Sequence, residues 1–132
     1  MIFLDTHAWV WWVSNPEKLS APARERIDMA ASLNQKIYIS TISAWEVAML
    51  AARGRLQLTM DVKDWIARSE SLPFFHFIPV TNQIAVKSVN LPGKLHSDPA
   101  DRIIIATAMI QEATLITADD KILEYPHVET LW

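Results

Sequence analysis

The sequence predicts one α/β domain over residues 1–132, a three-layer α/β/α sandwich with a mainly parallel central sheet. Its 132 residues are 51% apolar and include no low-complexity tract, which is enough for one buried core. Short strand-like runs alternate with segments of helical period, the pattern of a parallel sheet covered on both faces. Prolines stand at the ends of these segments, where a missing N–H does least harm: Pro73, Pro79, Pro92, Pro99 and Pro126.

Five short apolar, β-branched or aromatic runs predict the strands. Two are unbroken runs of strand length, IFL before Asp5 and IYIST further along the chain. The fifth run is less regular than the others. The predicted strands are Ile2–Leu4, Ile37–Thr41, Phe77–Val80, Thr114–Thr117 and His127–Leu131.

Between these runs, apolar residues recur with a period of about 3.6 residues, which predicts amphipathic helices. Each helix provides the crossover that a parallel strand pair requires. The predicted helices are Thr6–Val13, Ala23–Leu33, Ser43–Arg53, Val62–Ser69, Ile84–Val89 and Asp101–Glu112.

The composition excludes several kinds of chemistry. The absence of cysteine excludes a disulfide scaffold, a thiol nucleophile, a cysteine zinc site and an iron–sulfur cluster, and it fits a reducing cytoplasm. With Gly54 and Gly93 as the only glycines, no phosphate loop, dinucleotide-binding turn or nucleophile elbow can be written. Any chemistry therefore depends on carboxylates, histidines, hydroxyls or a metal ion.

Neither apolar stretch of the sequence predicts a membrane segment. The N-terminal MIFLDTHAWVWWV has no basic region before it and is interrupted by Asp5 and His7, so we interpret it as buried structure. The run Ile103–Ile110 is far shorter than the ~20 residues that span a bilayer. We therefore expect a soluble protein with no membrane partner. The net charge of -3 argues mildly against non-specific binding to polyanions.

Four acidic residues stand near the predicted carboxyl ends of strands: Asp5, Glu46, Asp101 and Asp119. Because ligands bind outside the carboxyl ends of an open parallel sheet, we expect these side chains to converge. Two carboxylates about 4 Å apart repel by roughly 4 kcal/mol at an effective dielectric near 20, so such a cluster recruits protons or cations. Oxygen ligands without cysteine favour Mg²⁺ or Mn²⁺ over Zn²⁺.

Local roles compete with metal binding at two of these positions. Ser43 and Glu46 have the spacing of a capping box, in which the glutamate reaches back to the first amide. Further along, Asp98 suits an N-cap, Pro99 the first helical position, and Asp101 the first turn, where the helix dipole favours an anion.

The remaining acids have different local alternatives. Asp119 and Asp120 also suit a turn. Asp5 is harder to explain locally, because an acid directly after a buried strand needs a partner to offset its desolvation. Each local role is plausible alone, whereas the convergence of all these acids on one edge points to a shared site.

The tryptophans are predicted to serve packing. Trp9 and Trp12 share one helix face and Trp11 points away from it, so some of this aromatic surface is available to an oligomer or another partner. We interpret Trp45 and Trp65 as core residues.

Histidines and basic residues near the acids have both structural and functional interpretations. His7 follows Asp5, and His96 precedes Asp98, so either imidazole could assist chemistry at the site. Four basic residues are expected on a solvated surface, with phosphate contact as the alternative: Arg53, Arg55, Lys94 and Arg102.

The order of these residues resembles the PIN-domain nucleases, and more narrowly the VapC-type toxins of bacterial toxin–antitoxin pairs. The resemblance spans most of the chain, and the final tryptophan also fits it. It is carried by LDTHAWVWW (4–12), ISTISAWEVAM (39–49), GRLQL (54–58), LPGKLHSDPADRIIIATA (91–108) and LITADDKI (115–122).

The resemblance implies roles for individual residues. The metal-binding and catalytic quartet would be Asp5, Glu46, Asp101 and Asp119. Asp98 matches an additional metal-binding acid of an H-x-D-P-x-D-R motif, which His96 and Arg102 complete. Ala100 departs from the pattern, since relatives commonly carry an aromatic residue there, which puts packing or substrate fit in question.

The resemblance also implies a fold, a reaction and partners. The fold would be the PIN-like α/β/α sandwich, and the reaction Mg²⁺-dependent hydrolysis of RNA, with Mn²⁺ as a substitute. A metal pair can activate water and stabilise the leaving oxygen without a covalent intermediate. A cognate antitoxin protein and a second copy of the chain would be the protein partners.

Two other classes of function remain open at this stage. A phosphoacceptor module or an aspartate-based phosphatase also places an Asp after its first strand. That phosphatase class would need a second Asp where His7 stands. A phosphoacceptor module of the receiver-domain type would need an Asp at the end of its third strand, where FIPVT has none. The other alternative is a non-catalytic PIN-like module that binds proteins.

Overall fold

The centre of the sheet is β1, formed by the three buried residues that follow Met1. The computed structural model describes all residues from 1 to 132. Its strands are β1 (Ile2–Leu4), β2 (Ile37–Ser40), β3 (Phe75–Ile78), β4 (Thr114–Ile116) and β5 (Thr130–Leu131). Its helices are α1 (Thr6–Ser14), α2 (Ala21–Ser32), α3 (Thr41–Ala52), α4 (Val62–Glu70), α5 (Asn82–Val89), α6 (Pro99–Gln111) and α7 (Asp120–Leu123), with a 3₁₀ turn at Pro16–Lys18.

The strand order creates a crevice beside β1. The order is β3-β2-β1-β4-β5, and every neighbouring pair is parallel. The chain runs outward from β1 through β2 to β3 and then returns to place β4 on the other side of β1. In open parallel sheets such a reversal leaves a ligand-binding crevice at the carboxyl ends of the two strands. The predicted α/β class with a mainly parallel sheet is confirmed, and here all strands are parallel.

Alternation along the strands separates two apolar cores. Ile2 and Leu4 contribute to a core that also contains Trp9 of α1 and Trp65 of α4. Phe3, between them in sequence, contributes to the core on the other face. That second core includes residues of α5, α6 and α7: Ile84, Ile104, Ile105 and Ile122. Helices therefore cover both faces of the sheet, as the three-layer prediction requires. None of them combines the length and hydropathy that a bilayer-spanning helix needs.

Some element boundaries differ from the sequence prediction. Strand β3 is Phe75–Ile78, whereas the prediction was Phe77–Val80, because Phe75 already pairs with Ile37 of β2. The short helix α7 was not predicted.

The start of α3 also differs, and this changes the interpretation of two site residues. Helix α3 begins at Thr41, and the Ser40 hydroxyl caps it by accepting from the Ile42 amide. Ser43 is therefore inside the helix, and Glu46 lies in the second turn rather than the first. The capping-box interpretation of this pair is wrong.

The tryptophan predictions hold in part. Trp9 and Trp65 are buried as expected, but Trp45 of α3 is 56% exposed, so its assignment to the core is wrong. Trp11 and Trp12 are only partly buried.

Candidate functional site

The acidic residues predicted to converge all line one pocket at the carboxyl ends of the strands. The pocket has a volume of about 240 Å³, and Thr6, His7 and Trp11 also line it. Its acidic residues are Asp5, Glu46, Asp101 and Asp119. Asp5 and Asp119 flank the crevice between β1 and β4, while α3 and α6 supply the other two acids.

Asp5 is the most enclosed of these acids, with only 5% of its side chain exposed. Its Oδ1 accepts a hydrogen bond of 2.8 Å from the Thr6 amide, and its Oδ2 accepts one of 2.7 Å from the Thr117 hydroxyl. The backbone N–H of Asp5 donates to the Ile116 carbonyl across the β1/β4 pair. These contacts offset the desolvation of the carboxylate and fix both of its oxygens.

Thr6 connects the Asp5 segment to α3. Its hydroxyl hydrogen bonds with Glu46 Oε1 at 2.7 Å and with Ser43 Oγ at 2.8 Å. Thr6 and Ser43 are both buried. The Glu46 carboxylate is thus held at the edge of the pocket by a hydroxyl that directly follows Asp5 in sequence.

Two of the acids have raised pKa values. Burial is the largest cause of the raised pKa of Glu46, and the charges of Asp5, Asp101 and Asp98 add to it. Burial likewise raises the pKa of Asp101 to about 6, with smaller contributions from Asp5 and Asp98. Mutual repulsion among half-buried carboxylates is the electrostatic condition that a bound cation relieves.

His96 contacts Asp101 directly. The Nε2 atom of His96 lies 2.6 Å from Asp101 Oδ2, and this hydrogen bond lowers the pKa of Asp101 against the effect of burial. The other imidazole nitrogen, Nδ1, is buried without a hydrogen-bond partner. The hydrogen bond uses Oδ2 of Asp101, and the ring does not hydrogen bond with Oδ1.

Asp119 stands at the N-terminus of α7. Its Oδ1 accepts hydrogen bonds from the amides of Lys121 and Ile122, so Asp119 caps a short helix that begins at Asp120, where the sequence suggested a turn. The amide of Asp119 donates to the Thr117 hydroxyl, which itself donates to Asp5. Thr117 therefore links the acids that follow β1 and β4.

Asp98 lies outside the four-acid pocket. It is exposed, and its Oδ1 caps α6 by accepting from the Asp101 amide at 2.9 Å. It lines a wider depression of about 630 Å³ that Asp101, Asp119 and Asp120 share. The two hollows adjoin through Asp101 and Asp119.

His7 also lies in the four-acid pocket. Its Nε2 accepts a hydrogen bond of 2.8 Å from the Ala118 amide, and its Nδ1 lies 3.7 Å from Asp5 Oδ2. The ring contacts Trp11 and the C-terminal Trp132. His7 thus helps to fix the segment after β4.

Arg102 is partly buried and stabilises the fold, whereas the sequence suggested a solvated surface position. Its guanidinium donates to the backbone carbonyls of Ser88, Leu95 and His96. These contacts tie the segment that carries His96 to α5 and α6. The other basic residues considered with it are exposed: Arg53, Arg55 and Lys94.

The hydroxyls that hold the acids were missed by sequence reasoning. Thr117 directly follows β4, Thr6 is the second residue after β1, and Ser43 lies on α3. A hydroxyl within two residues of a strand end is the only local signal for the threonines, because most of their partners are distant in sequence.

The residues of the pocket fit a hard divalent cation. No group of three or more His, Asp or Glu side chains is already arranged to enclose a metal ion. Mg²⁺ does not require such a cage, because it keeps several waters and is held by one or two carboxylates plus substrate phosphates. The carboxylate oxygens and the raised pKa values of Glu46 and Asp101 match this mode of binding.

Comparison with known proteins gives sequence relatives. The model of the PIN domain family matches residues 2–128. Ribonuclease VapC22 of Mycobacterium tuberculosis is 32% identical over 133 residues, which cover 99% of this chain and 98% of that protein.

Solved structures with the same fold come from toxin–antitoxin assemblies. VapBC2 from Rickettsia felis, bound to a DNA fragment from its promoter, matches with a TM-score of 0.71 and 18% identity over 100% of this chain and 99% of that chain. A toxin–antitoxin complex from Klebsiella pneumoniae matches with a TM-score of 0.66 and 22% identity over 97% and 95% of the two chains. At these identities the likeness concerns the fold.

Proposed function

This chain belongs to the PIN-domain family, and we propose that it is a metal-dependent endoribonuclease that acts as the toxin of a toxin–antitoxin pair. The observation that carries the proposal is the pocket in which the acids of four separate segments meet. The identity of 32% with a relative named as a ribonuclease supports RNA as the substrate. A ribonuclease acts where RNA is, and we propose the cytoplasm as its place of action.

We assign the metal ion to the acids at the crevice between β1 and β4. Asp5, Glu46, Asp101 and Asp119 would hold it, and Asp98 would add an outer acid from the adjoining depression. We propose Mg²⁺ as the ion, with Mn²⁺ as a substitute, because all these ligands are carboxylates. When bound, the ion supplies an activated water and neutralises charge that develops on the phosphate.

The protein's own contribution is to orient the carboxylates before substrate arrives. The Thr117 hydroxyl and the Thr6 amide hold Asp5, and the Thr6 hydroxyl holds Glu46. His96 holds one oxygen of Asp101. Such supporting hydrogen bonds fix the direction of each ligand and contribute to catalysis through preorganisation.

The alternative of an aspartate-based phosphoryl transfer lacks its second acid. His7 stands two residues after Asp5, and it accepts a backbone hydrogen bond from Ala118 rather than presenting a carboxylate. Strand β3 ends at Ile78 with no Asp after it.

The alternative of a non-catalytic binding module does not account for the acids. Several half-buried, mutually repelling carboxylates destabilise the fold, and binding another protein does not require them.

We propose an antitoxin protein and a second copy of this chain as protein partners. An apolar groove of about 560 Å³ runs from α3 to the segment before α4, and it shares Leu56 with the acidic pocket. An amphipathic segment of the antitoxin would cover this groove, and a basic side chain from it would reach the carboxylates.

The direct test is cleavage of RNA by the purified protein. We expect cleavage with Mg²⁺, none with a chelator, and none for Asp5→Asn or Asp101→Asn. Asp64→Asn, on the exposed surface of α4, is the matched control and should cleave normally. Cleavage by Asp5→Asn at the unsubstituted rate with Mg²⁺ present would show that Asp5 is not a ligand.

A further inference from the structure

We propose that Trp11 is the platform on which one base of the RNA strand stacks beside the acidic pocket, with Lys18 contacting the strand's phosphate. The inference rests on the proposed function, because it describes how the same site holds its substrate. Single-stranded RNA is bound by stacking its bases on aromatic side chains and by cations that follow the backbone.

Trp11 is the indole that lines the acidic pocket. It shares the lining with Asp5, Glu46 and Asp119, and its side chain is only partly buried. Trp9, two residues earlier on α1, is fully buried in the core. The side chain of Trp11 is therefore beside the reacting phosphate in the proposed site.

The hydrogen bonds of the indoles separate Trp11 from its structural neighbours. Trp9 donates its Nε1–H to Ser69, Trp12 to Asp28, and Trp65 to Ser14. The Nε1–H of Trp11 donates to no protein acceptor. Its nitrogen is not among the buried atoms that lack a partner, so it is accessible. Its polar edge is open to solvent and available to a ligand.

The Trp11 ring is held in place by two other aromatic rings. Its centroid lies 5.0 Å from that of His7 and 5.9 Å from that of Trp132, and the His7 and Trp132 centroids are 5.9 Å apart. The rings are tilted or edge-on to one another, the arrangements that aromatic pairs prefer. A ring fixed before binding loses little conformational entropy when a base stacks on it.

Lys18 supplies the positive charge that this side of the pocket needs. Its ammonium lies 5.9 Å from the centroid of the Trp11 ring, and the residue is exposed. A strand that approaches several carboxylates is repelled through its phosphates. The ammonium lies over the ring, so a base that stacks on this face displaces the exposed Lys18 side chain towards the adjoining phosphate, where its charge gives the backbone an attractive contact.

An apolar side chain of a protein partner is the other occupant that Trp11 could receive. Two features favour RNA. Lys18 is placed to attract an anion, and the apolar groove suited to a protein segment runs from α3 towards α4, with Leu56 rather than Trp11 in its lining.

The test compares two probes of equal length: a labelled single-stranded oligoadenylate RNA, and the same ribose-phosphate strand without bases. Binding is measured by fluorescence anisotropy with Mg²⁺ present, and every protein carries Asp5→Asn to prevent cleavage. We expect Trp11→Leu to weaken oligoadenylate binding about 5- to 150-fold, the range for losing one stacked base, and to leave abasic binding unchanged. Trp11→Phe should keep most of the preference for the strand with bases, and Lys18→Gln should weaken the binding of both strands.

The matched control is Trp12→Leu, which removes a partly buried indole of the same helix that packs on Phe74 and Phe75. It should destabilise the protein comparably without changing the preference for bases. The proposal is overturned if the protein with Trp11 intact binds the two strands equally. It is also overturned if Trp11→Leu loses affinity for both strands to the same extent. Loss of antitoxin inhibition by Trp11→Leu with unchanged RNA binding would assign the ring to the protein partner instead.

The proposed function has its own readout in the cleavage assay with Asp5 intact. A protein that prefers bases through Trp11 yet never cleaves RNA retains this inference and loses the proposed function. A protein that cleaves RNA but shows no base preference due to Trp11 retains the proposed function and loses this inference.

Discussion

The imidazole Nε2 of His96 lies 2.6 Å from Oδ2 of Asp101, while Nδ1 of the same ring is buried without a hydrogen-bond partner. The carboxylate is therefore the only group to which this partly buried ring forms a hydrogen bond. Its hydrogen bond lowers the pKa of Asp101, whereas burial of the carboxyl raises it. The pair keeps an acid of the pocket closer to its charged form.

Removal of this contact should weaken metal binding. We expect His96→Leu to raise the Mg²⁺ concentration needed for half-maximal RNA cleavage by about tenfold or more, the usual effect of losing a partner of a metal ligand. His96→Gln, which can still donate to Asp101, should restore part of the loss. His127→Leu is the control, because His127 is exposed and outside the pocket. An unchanged Mg²⁺ requirement in His96→Leu would restrict His96 to packing.

The raised pKa of Asp101 predicts how stability depends on pH without metal. The folded protein holds a proton on Asp101 up to about pH 6, whereas the unfolded chain releases it near 3.8. The folded state binds more protons in this window, so the free energy of unfolding falls as pH rises through it and stays lower above pH 6. The loss is at most about 3 kcal/mol, from 1.36 kcal/mol per pKa unit.

Asp101→Asn should remove this dependence. Relative to the unsubstituted protein in a chelating buffer, we expect the variant to be more stable at pH 8 by about 1 to 3 kcal/mol and similar at pH 4. Urea denaturation at the two pH values measures the difference. Asp64→Asn, on the exposed surface of α4, should show no such change between them. A variant that is less stable at pH 8 would contradict the cost of burying a charged Asp101 beside the other acids.

Divalent metal ions should stabilise the folded protein. A ligand that binds only the native state adds about 2.7 kcal/mol at a concentration one hundred times its Kd. We expect Mg²⁺ or Mn²⁺ to raise the Tm, and Asp5→Asn/Asp119→Asn to abolish the shift. Asp98→Asn should reduce it less, because that carboxylate caps α6 and lies in the adjoining depression. A Tm indifferent to both ions would argue against a metal site.

The acids could be located from the sequence because they follow rules of position. Parallel strands end at one edge, so Asp5 after β1 and Asp119 after β4 were expected near each other. Pro99 at the first position of α6 and Asp98 as its cap follow equally local rules, and the structure has both. These predictions needed the strand pattern but no knowledge of tertiary contacts.

The supporting contacts could not be predicted, because they join distant segments. Thr117 is 112 residues from Asp5, and no local pattern pairs them. Ser43 and Glu46 match a capping box by spacing, yet the Ser40 hydroxyl caps α3 and Ser43 contacts Thr6 instead. Which of two nearby serines caps a helix depends on where the preceding strand ends.

Arg102 should be a stabilising residue. Its guanidinium donates to three backbone carbonyls, and a lysine ammonium cannot reproduce that fork. We expect both Arg102→Lys and Arg102→Met to lower the free energy of unfolding by about 2 kcal/mol, measured by urea denaturation. Arg53→Met, at an exposed position, should change it by less than about 0.5 kcal/mol. If Arg102→Met keeps full stability but loses RNA affinity, the phosphate-contact alternative is correct.

Trp45 should mark the surface where two copies of the chain meet. Its indole is 56% exposed on α3, and Val86 and Val89 of α5 are exposed to a similar or greater degree. Exposed apolar side chains of this size are typical of contact surfaces. We expect sedimentation at micromolar concentration to give a homodimer, and Trp45→Glu to shift it towards monomer because a charge would be buried in the interface. Met29→Glu, which places a charge at an exposed apolar position of α2, is the control and should remain dimeric. A strictly monomeric unsubstituted protein contradicts the homodimer, and a dimer that is unaffected by Trp45→Glu places the interface elsewhere.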